Sequence, residues 1–239
     1  MNNKLVFGIN AVREAIQEPR RIQKILVENG NKNPAAQKLK NEIMRSGVSY
    51  SFVPEQKLYK QTKENHQGFV ALIGQIQFTD LESILDLEKQ QLFILLDGIT
   101  DVRNFGAIIR SAVGLGASGI IIGQTGSAPL NDIAIQASAG GAFHIPIVRV
   151  NHIKDAMYIL KSHEIALAGC TEKATSFVSE INLKRSLGIV MGNENKGISK
   201  GVLNLCDDQI KIPINDVLDS YNVSVAASLV LYEYYRQNN

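Results

Sequence analysis

Three short clusters of polar residues and glycine each follow an apolar run, and they hold the side chains best suited to chemistry. Asp97-Gly98-Ile99-Thr100-Asp101-Val102-Arg103-Asn104-Phe105-Gly106 follows the run Leu92 to Leu96, and Gly192-Asn193-Glu194-Asn195-Lys196-Gly197 follows Ile189-Val190-Met191. Asn215 to Asn222 follows Gln209-Ile210-Lys211-Ile212-Pro213. Glycine allows close backbone approach to a ligand, and amide, hydroxyl and carboxylate side chains can hold its polar groups. Three such loops at strand ends can build one site. Taken singly, each has a plainer use: Gly98, Gly192 and Gly197 as turn glycines, and Asn104, Ser220 and Asn222 as helix caps.

Other patterns point away from their usual meaning. Gly114-Leu115-Gly116-Ala117-Ser118-Gly119 matches a dinucleotide-binding fingerprint. It stands after a helical pattern and before a strand, whereas phosphate binding needs strand, turn, then helix; here the glycines end a helix. There is no Walker A sequence and no H-E-x-x-H. His66, His144, His152 and His163 have no metal-ligand spacing, and Cys170 and Cys206 form no CxxC. No metal is expected.

The elements that must position the three loops follow from hydrophobic patterning. Residues 92–97, 119–123, 145–148, 165–168 and 187–191 are apolar runs suited to strands covered on both faces, and helical patterns over 104–115 and 152–162 separate them. Strands alternating with helices imply a largely parallel sheet with its ligand site at the carboxyl ends. Val223 to Arg236 reads as a long amphipathic helix. Before residue 75, strands over 21–28, 48–53 and 69–73 flank a helix that starts at Pro34 and stops before Gly47, with a short lysine-rich helix around Leu58. The expected organisation is a small α/β domain over 1–75, a polar connection over 76–91 and a second α/β domain over 92–239.

Composition narrows the class. The 239 residues are 45% hydrophobic and 20% charged, with no run near the ~18 apolar residues of a membrane span. The start of the chain lacks the apolar core of a signal peptide, so a cytoplasmic protein is expected. Residues 1–80 hold 12 lysines and arginines against 7 acids, a balance of +5, and the remainder holds 13 against 16, or −3. A basic first third suits an anionic polymer, although a solvated lysine-rich surface would give the same count.

Together the three loops resemble the motifs of the SpoU or TrmH family of RNA ribose 2'-O-methyltransferases, in the SPOUT class. Asn104-Phe105-Gly106-Ala107-Ile108-Ile109-Arg110 resembles the first motif, and Met191-Gly192-Asn193-Glu194 with Gly197 the second. Ile212-Pro213 with Ser220-Tyr221-Asn222-Val223-Ser224-Val225-Ala226 resembles the third. Phe7-Gly8-Ile9-Asn10-Ala11-Val12 and His66-Gln67-Gly68-Phe69-Val70-Ala71 are similar to the ends of the L30e-like RNA-binding domain in the branch that modifies a guanosine of 23S rRNA. Val102, Asn195, Asp216 and Tyr221 depart from the family pattern.

The resemblance implies methyl transfer from S-adenosylmethionine to a ribose 2'-hydroxyl, a deep C-terminal trefoil knot and a homodimer. It implies catalytic roles for Asn104, Arg110, Glu194, Ser220 and Asn222, and cofactor contacts from the backbones of Gly192, Ile212 and Tyr221. Arg110 would hold the phosphate beside the target ribose and stabilise developing charge, with Glu194 orienting it through a bidentate pair. Two alternatives stay open: an RNA-binding protein with weak or lost transfer, motivated by Asp216 and Tyr221, and a tRNA 2'-O-methyltransferase.

Overall fold

The computed structural model describes residues 4–17, 22–73, 77–215 and 217–239. Arg21, Ile76 and Asp216, on which expectations fell, lie outside them. The chain forms two compact units, Met1–Gln77 with Leu130–His144, and Phe78–Pro129 with Ile145–Asn239.

The first unit begins with β1 (Lys4–Phe7), α1 (Ile9–Ala15), β2 (Ile22–Glu28), α2 (Pro34–Arg45), β3 (Tyr50–Val53), α3 (Glu55–Tyr59) and β4 (Phe69–Ile73). β4 pairs antiparallel with β1 and β2, and β2 pairs parallel with β3, giving the order β1-β4-β2-β3. Helix α2 starts where its residues dictate: the Asn33 side chain accepts from Ala35 N at 2.9 Å, and Pro34 fills a position whose N–H would go unused. Phe7, Leu26, Val53, Leu58 and Val70 form the core.

The second unit opens with β5 (Leu92–Asp97), α4 (Val102–Gly114) and β6 (Gly119–Gly123). Gly114 closes α4, so the glycine-rich stretch ends a helix. The chain then enters the first unit, where α5 (Asp132–Ala137) packs on β1. It returns through β7 (Ile147–Val150), α6 (Ile153–Ser162), β8 (Ala166–Cys170), β9 (Ser176–Phe177), β10 (Leu187–Gly192), α7 (Lys200–Leu203), β11 (Asp208–Lys211) and α8 (Val223–Asn238).

Its seven strands are all parallel, in the order β7-β6-β5-β10-β8-β11-β9. Burial on both faces explains why the strands read as continuous apolar runs. Phe93, Leu95, Ile121 and Val190 face Ile153, Met157 and Leu160 of α6, and Leu81, from the polar stretch before β5, joins that core. Alternation turns Ile94 and Leu96 to the opposite face.

Helix α8 differs from the expected amphipathic helix, because it is apolar on both sides. Val223, Ala227, Val230 and Leu231 are buried, while Val225, Leu229 and Tyr232 are exposed at helical spacing. It packs on α4, where Ser111 Oγ and Ser228 Oγ lie 2.7 Å apart.

Candidate active site

The parallel sheet brings the ends of β8, β10 and β11 to one edge, and there a cavity of about 310 Å³ opens in the second unit. Its floor is Met191 and Gly192, and its walls are Cys170 and Thr171 after β8, Ile212 and Ile214 after β11, and Ser220, Tyr221, Val223 and Ala226.

The loop after β10 is tightly constrained. Asn193 and Gly197 exchange backbone hydrogen bonds of 3.1 and 2.8 Å, and Asn193 Oδ1 accepts from the N–H groups of Asn195 and Lys196. Asn193 Nδ2 reaches across to donate to the Gly98 carbonyl at 2.8 Å, tying this loop to the one after β5. The returning chain passes so close to Gly192 that a Cβ there would lie 2.2 Å from Gly197 C and Ile198 N, so only glycine fits.

This anchoring projects Glu194 toward the start of α4. There Asp101 caps the helix by accepting from Arg103 N and Asn104 N, both at 2.8 Å. Asn104 Nδ2 donates to Glu194 Oε1 at 2.9 Å, and Asn104 Oδ1 accepts from Asn222 Nδ2 at 3.1 Å. Asn222 Oδ1 in turn accepts from Ser224 N at 2.9 Å, capping α8. One relay of side chains, Glu194 to Asn104 to Asn222, therefore joins the three loops. Tyr221 Oη donates to the Pro213 carbonyl at 3.0 Å, closing the last loop beside the cavity.

Gly192, Glu194, Ile212, Ser220 and Tyr221 thus line the cavity, and Asn104 and Asn222 join them through the relay. Arg110 stands apart. It is exposed, and among the described residues it forms no ion pair; the expected Glu194–Arg110 pair is replaced by Glu194–Asn104. Six residues along a helix rotate a side chain to roughly 120° from its starting direction, about 9 Å further along the axis, so Asn104 and Arg110 leave α4 from different sides.

Cys170 and Thr171 join the site without having been expected there, although their place at the end of an apolar run was the available signal. Burial, reinforced by the Glu172 carboxylate, pushes the Cys170 thiol up to about 12, so it acts as a neutral wall rather than a nucleophile.

The residues fit S-adenosylmethionine. The cavity has the size of a small-molecule site, with Ile212, Ile214, Val223 and Ala226 as apolar lining for a flat base and Thr171, Glu194 and Ser220 as polar groups beside them.

Fold and site thus define a methyltransferase unit joined to a separate α/β unit. A model of the SpoU rRNA Methylase family matches residues 91–232, and a model of RNA 2'-O ribose methyltransferase substrate binding matches residues 5–79. The chain belongs to the SpoU rRNA Methylase family, whose members methylate RNA ribose with S-adenosylmethionine. It is 35% identical over 242 residues to the 23S rRNA (guanosine-2'-O-)-methyltransferase RlmB of Vibrio cholerae, covering 99% of this chain and 98% of the relative. The RlmB of Vibrio vulnificus is 34% identical over the same shares. The crystal structure of the SpoU methyltransferase AviRb from Streptomyces viridochromogenes with AdoMet superimposes with a TM-score of 0.82 at 26% identity, covering 98% of this chain and 89% of that one.

Proposed function

We propose that this protein transfers the methyl group of S-adenosylmethionine to the ribose 2'-hydroxyl of a guanosine in 23S rRNA. The relay Glu194–Asn104–Asn222 at the rim of the cavity carries the reading, because it assembles hydrogen-bonding groups from all three loops where a ribose would meet the cofactor. The relatives named for this reaction span nearly the whole chain, which supports a guanosine of 23S rRNA as the target.

The bound cofactor supplies an electrophilic methyl group on a sulfonium. The chain supplies position: main-chain groups at Gly192, Ile212 and Tyr221 hold the cofactor, and Asn104 and Glu194 orient the hydroxyl for in-line attack. Glu194 Oε1 is engaged by Asn104, which leaves Oε2 to take the hydroxyl's hydrogen bond and receive its proton as the oxygen–carbon bond forms and the sulfur–carbon bond breaks. Arg110, always charged, is a poor base and a good phosphate anchor beside the target.

The exposed stripe Val225, Leu229 and Tyr232 on α8 supports a homodimer. A knotted backbone accords with the insertion of β10 between β5 and β8 and the return of α8 against α4. Among the described residues no helix is long and apolar enough to cross a membrane, and an rRNA substrate implies work in the cytoplasm. Tyr221, which motivated loss of transfer, ties its loop shut and supports a formed cofactor site. Isothermal titration with S-adenosylmethionine tests this: saturable binding at one site per chain is expected, and no heat of binding would favour a protein that only grips RNA.

A further inference from the structure

A second cavity, of about 220 Å³, lies at the carboxyl ends of β5, β6 and β7, on the other side of the Gly98–Asn193 hydrogen bond from the cofactor cavity. Thr125, Ser127, Asn151, His152 and Lys154 line it, with Asp97 on one wall. Nothing in the transfer mechanism uses these residues.

Four features give the cavity a definite chemistry. Helix α6, ten residues long, begins in it, and its N-cap residue His152 gives no side-chain cap; the Asp155 amide donates to the His152 carbonyl, which leaves the Ile153 and Lys154 amides at the positive end of the helix dipole beside the space. The Ser127 hydroxyl oxygen is shielded from solvent and has no hydrogen-bond partner, an arrangement that costs free energy unless a ligand supplies one. Gly123 borders this corner: a Cβ there would lie 3.3 Å from the Thr125 carbonyl oxygen, 3.6 Å from Ser127 Oγ and 4.0 Å from Ile153 Cγ1. Lys154 is exposed and, among the described residues, forms no ion pair. Two carboxylates carry the opposing charge: Asp97, whose Oδ2 accepts from Ser199 N at 2.7 Å, and Asp155 in the first turn of α6. Amides at a helix start, a hydroxyl donor and an ammonium converge on a ligand that offers several acceptor oxygens and negative charge.

We propose that this cavity holds a backbone phosphodiester of the RNA substrate, adjacent to the nucleotide whose ribose is methylated. The proposal rests on the RNA methyltransferase reading, and Gly98 of this cavity accepts a hydrogen bond from Asn193 of the cofactor cavity, which makes the two neighbours. The bound phosphodiester would fix the register of the strand across the sheet edge while carrying no sequence information, as phosphate contacts do.

Equilibrium binding of a 23S rRNA transcript, followed by fluorescence anisotropy across a salt series, tests it with Lys154→Gln and Ser127→Ala in the full chain. Lys154→Gln is expected to weaken transcript binding about tenfold and to lower the salt slope by about 0.7 to 0.9, the share of one phosphate contact, with unchanged S-adenosylmethionine affinity. Ser127→Ala is expected to weaken binding by a smaller factor. In parallel, inorganic phosphate titrated into ¹⁵N-labelled protein is expected to shift the Ile153 and Lys154 amides.

Unchanged affinity and slope in both variants would overturn the proposal, and amide shifts with phosphate alongside them would mark an adventitious anion site only. A wild type that binds the transcript with the expected variant effects yet transfers no methyl group would contradict the methyltransferase reading and leave the phosphate site standing.

Discussion

Asn104 and Arg110 share a helix and differ in what they touch. Asn104 is held on both sides, by Glu194 and Asn222, so its loss uncouples the three loops; Arg110 is exposed, and the proposed function gives it an RNA phosphate to hold. Arg110→Ala is expected to reduce turnover about 10² to 10³-fold with unchanged melting temperature and cofactor affinity, measured with tritiated S-adenosylmethionine. Arg110→Lys is expected to fail nearly as badly, because a point charge does not reproduce a planar bidentate contact. Asn104→Ala is expected to lose about as much turnover, and Glu194→Gln in that background should add little, since the two residues act as one unit. The residue types of the site were legible in the three clusters. Their partnership was not: sequence spacing showed that Asn104 and Arg110 lie six apart, but that Glu194 pairs with the first depends on how the loop after β10 turns, which Asn193 fixes through Gly98.

At the scale of elements, the loop after β10 and helix α8 carry the sharpest expectations. Gly192→Ala would drive a Cβ into the returning backbone at 2.2 Å, and backbone, unlike a flexible side chain, cannot swing away. The variant is expected to lose cofactor binding by calorimetry and about 1 to 3 kcal/mol of stability by denaturant titration. For α8, Leu229→Glu with Tyr232→Glu places two charges on the exposed stripe. Sedimentation is expected to give a monomer with native circular dichroism, because both side chains already face solvent within one chain. The apolar runs that became β5, β6, β8 and β10 could be read directly, since strands covered on both faces have no polar side to confuse the pattern. Other elements could not. β1 and α5 are four and six residues long, too short for periodicity to show, and the insertion of β10 between β5 and β8 is a fact of pairing that no local pattern encodes.

At the scale of the whole molecule, the charge imbalance between the basic first third and the acidic remainder sets where RNA affinity should lie. Lys57, Lys60 and Lys63 are exposed on and beside α3. Replacing all three with glutamine is expected to weaken transcript binding and to lower its salt slope by about 0.7 to 0.9 for each phosphate no longer neutralised, with S-adenosylmethionine binding unaffected. Two units were legible from the patterning and charge. That residues Leu130–His144 would belong to the first was not, because a short apolar helix after β6 looks the same whichever core it joins. The central claim concerns the reaction, and nucleoside mass spectrometry tests it most directly. Unmodified 23S rRNA is incubated with the full chain and S-adenosylmethionine, then digested to nucleosides. The expected result is 2'-O-methylguanosine that appears with the wild type and is lost with Arg110→Ala; no methylated nucleoside, or a methyl group on a base instead of the ribose, would contradict it.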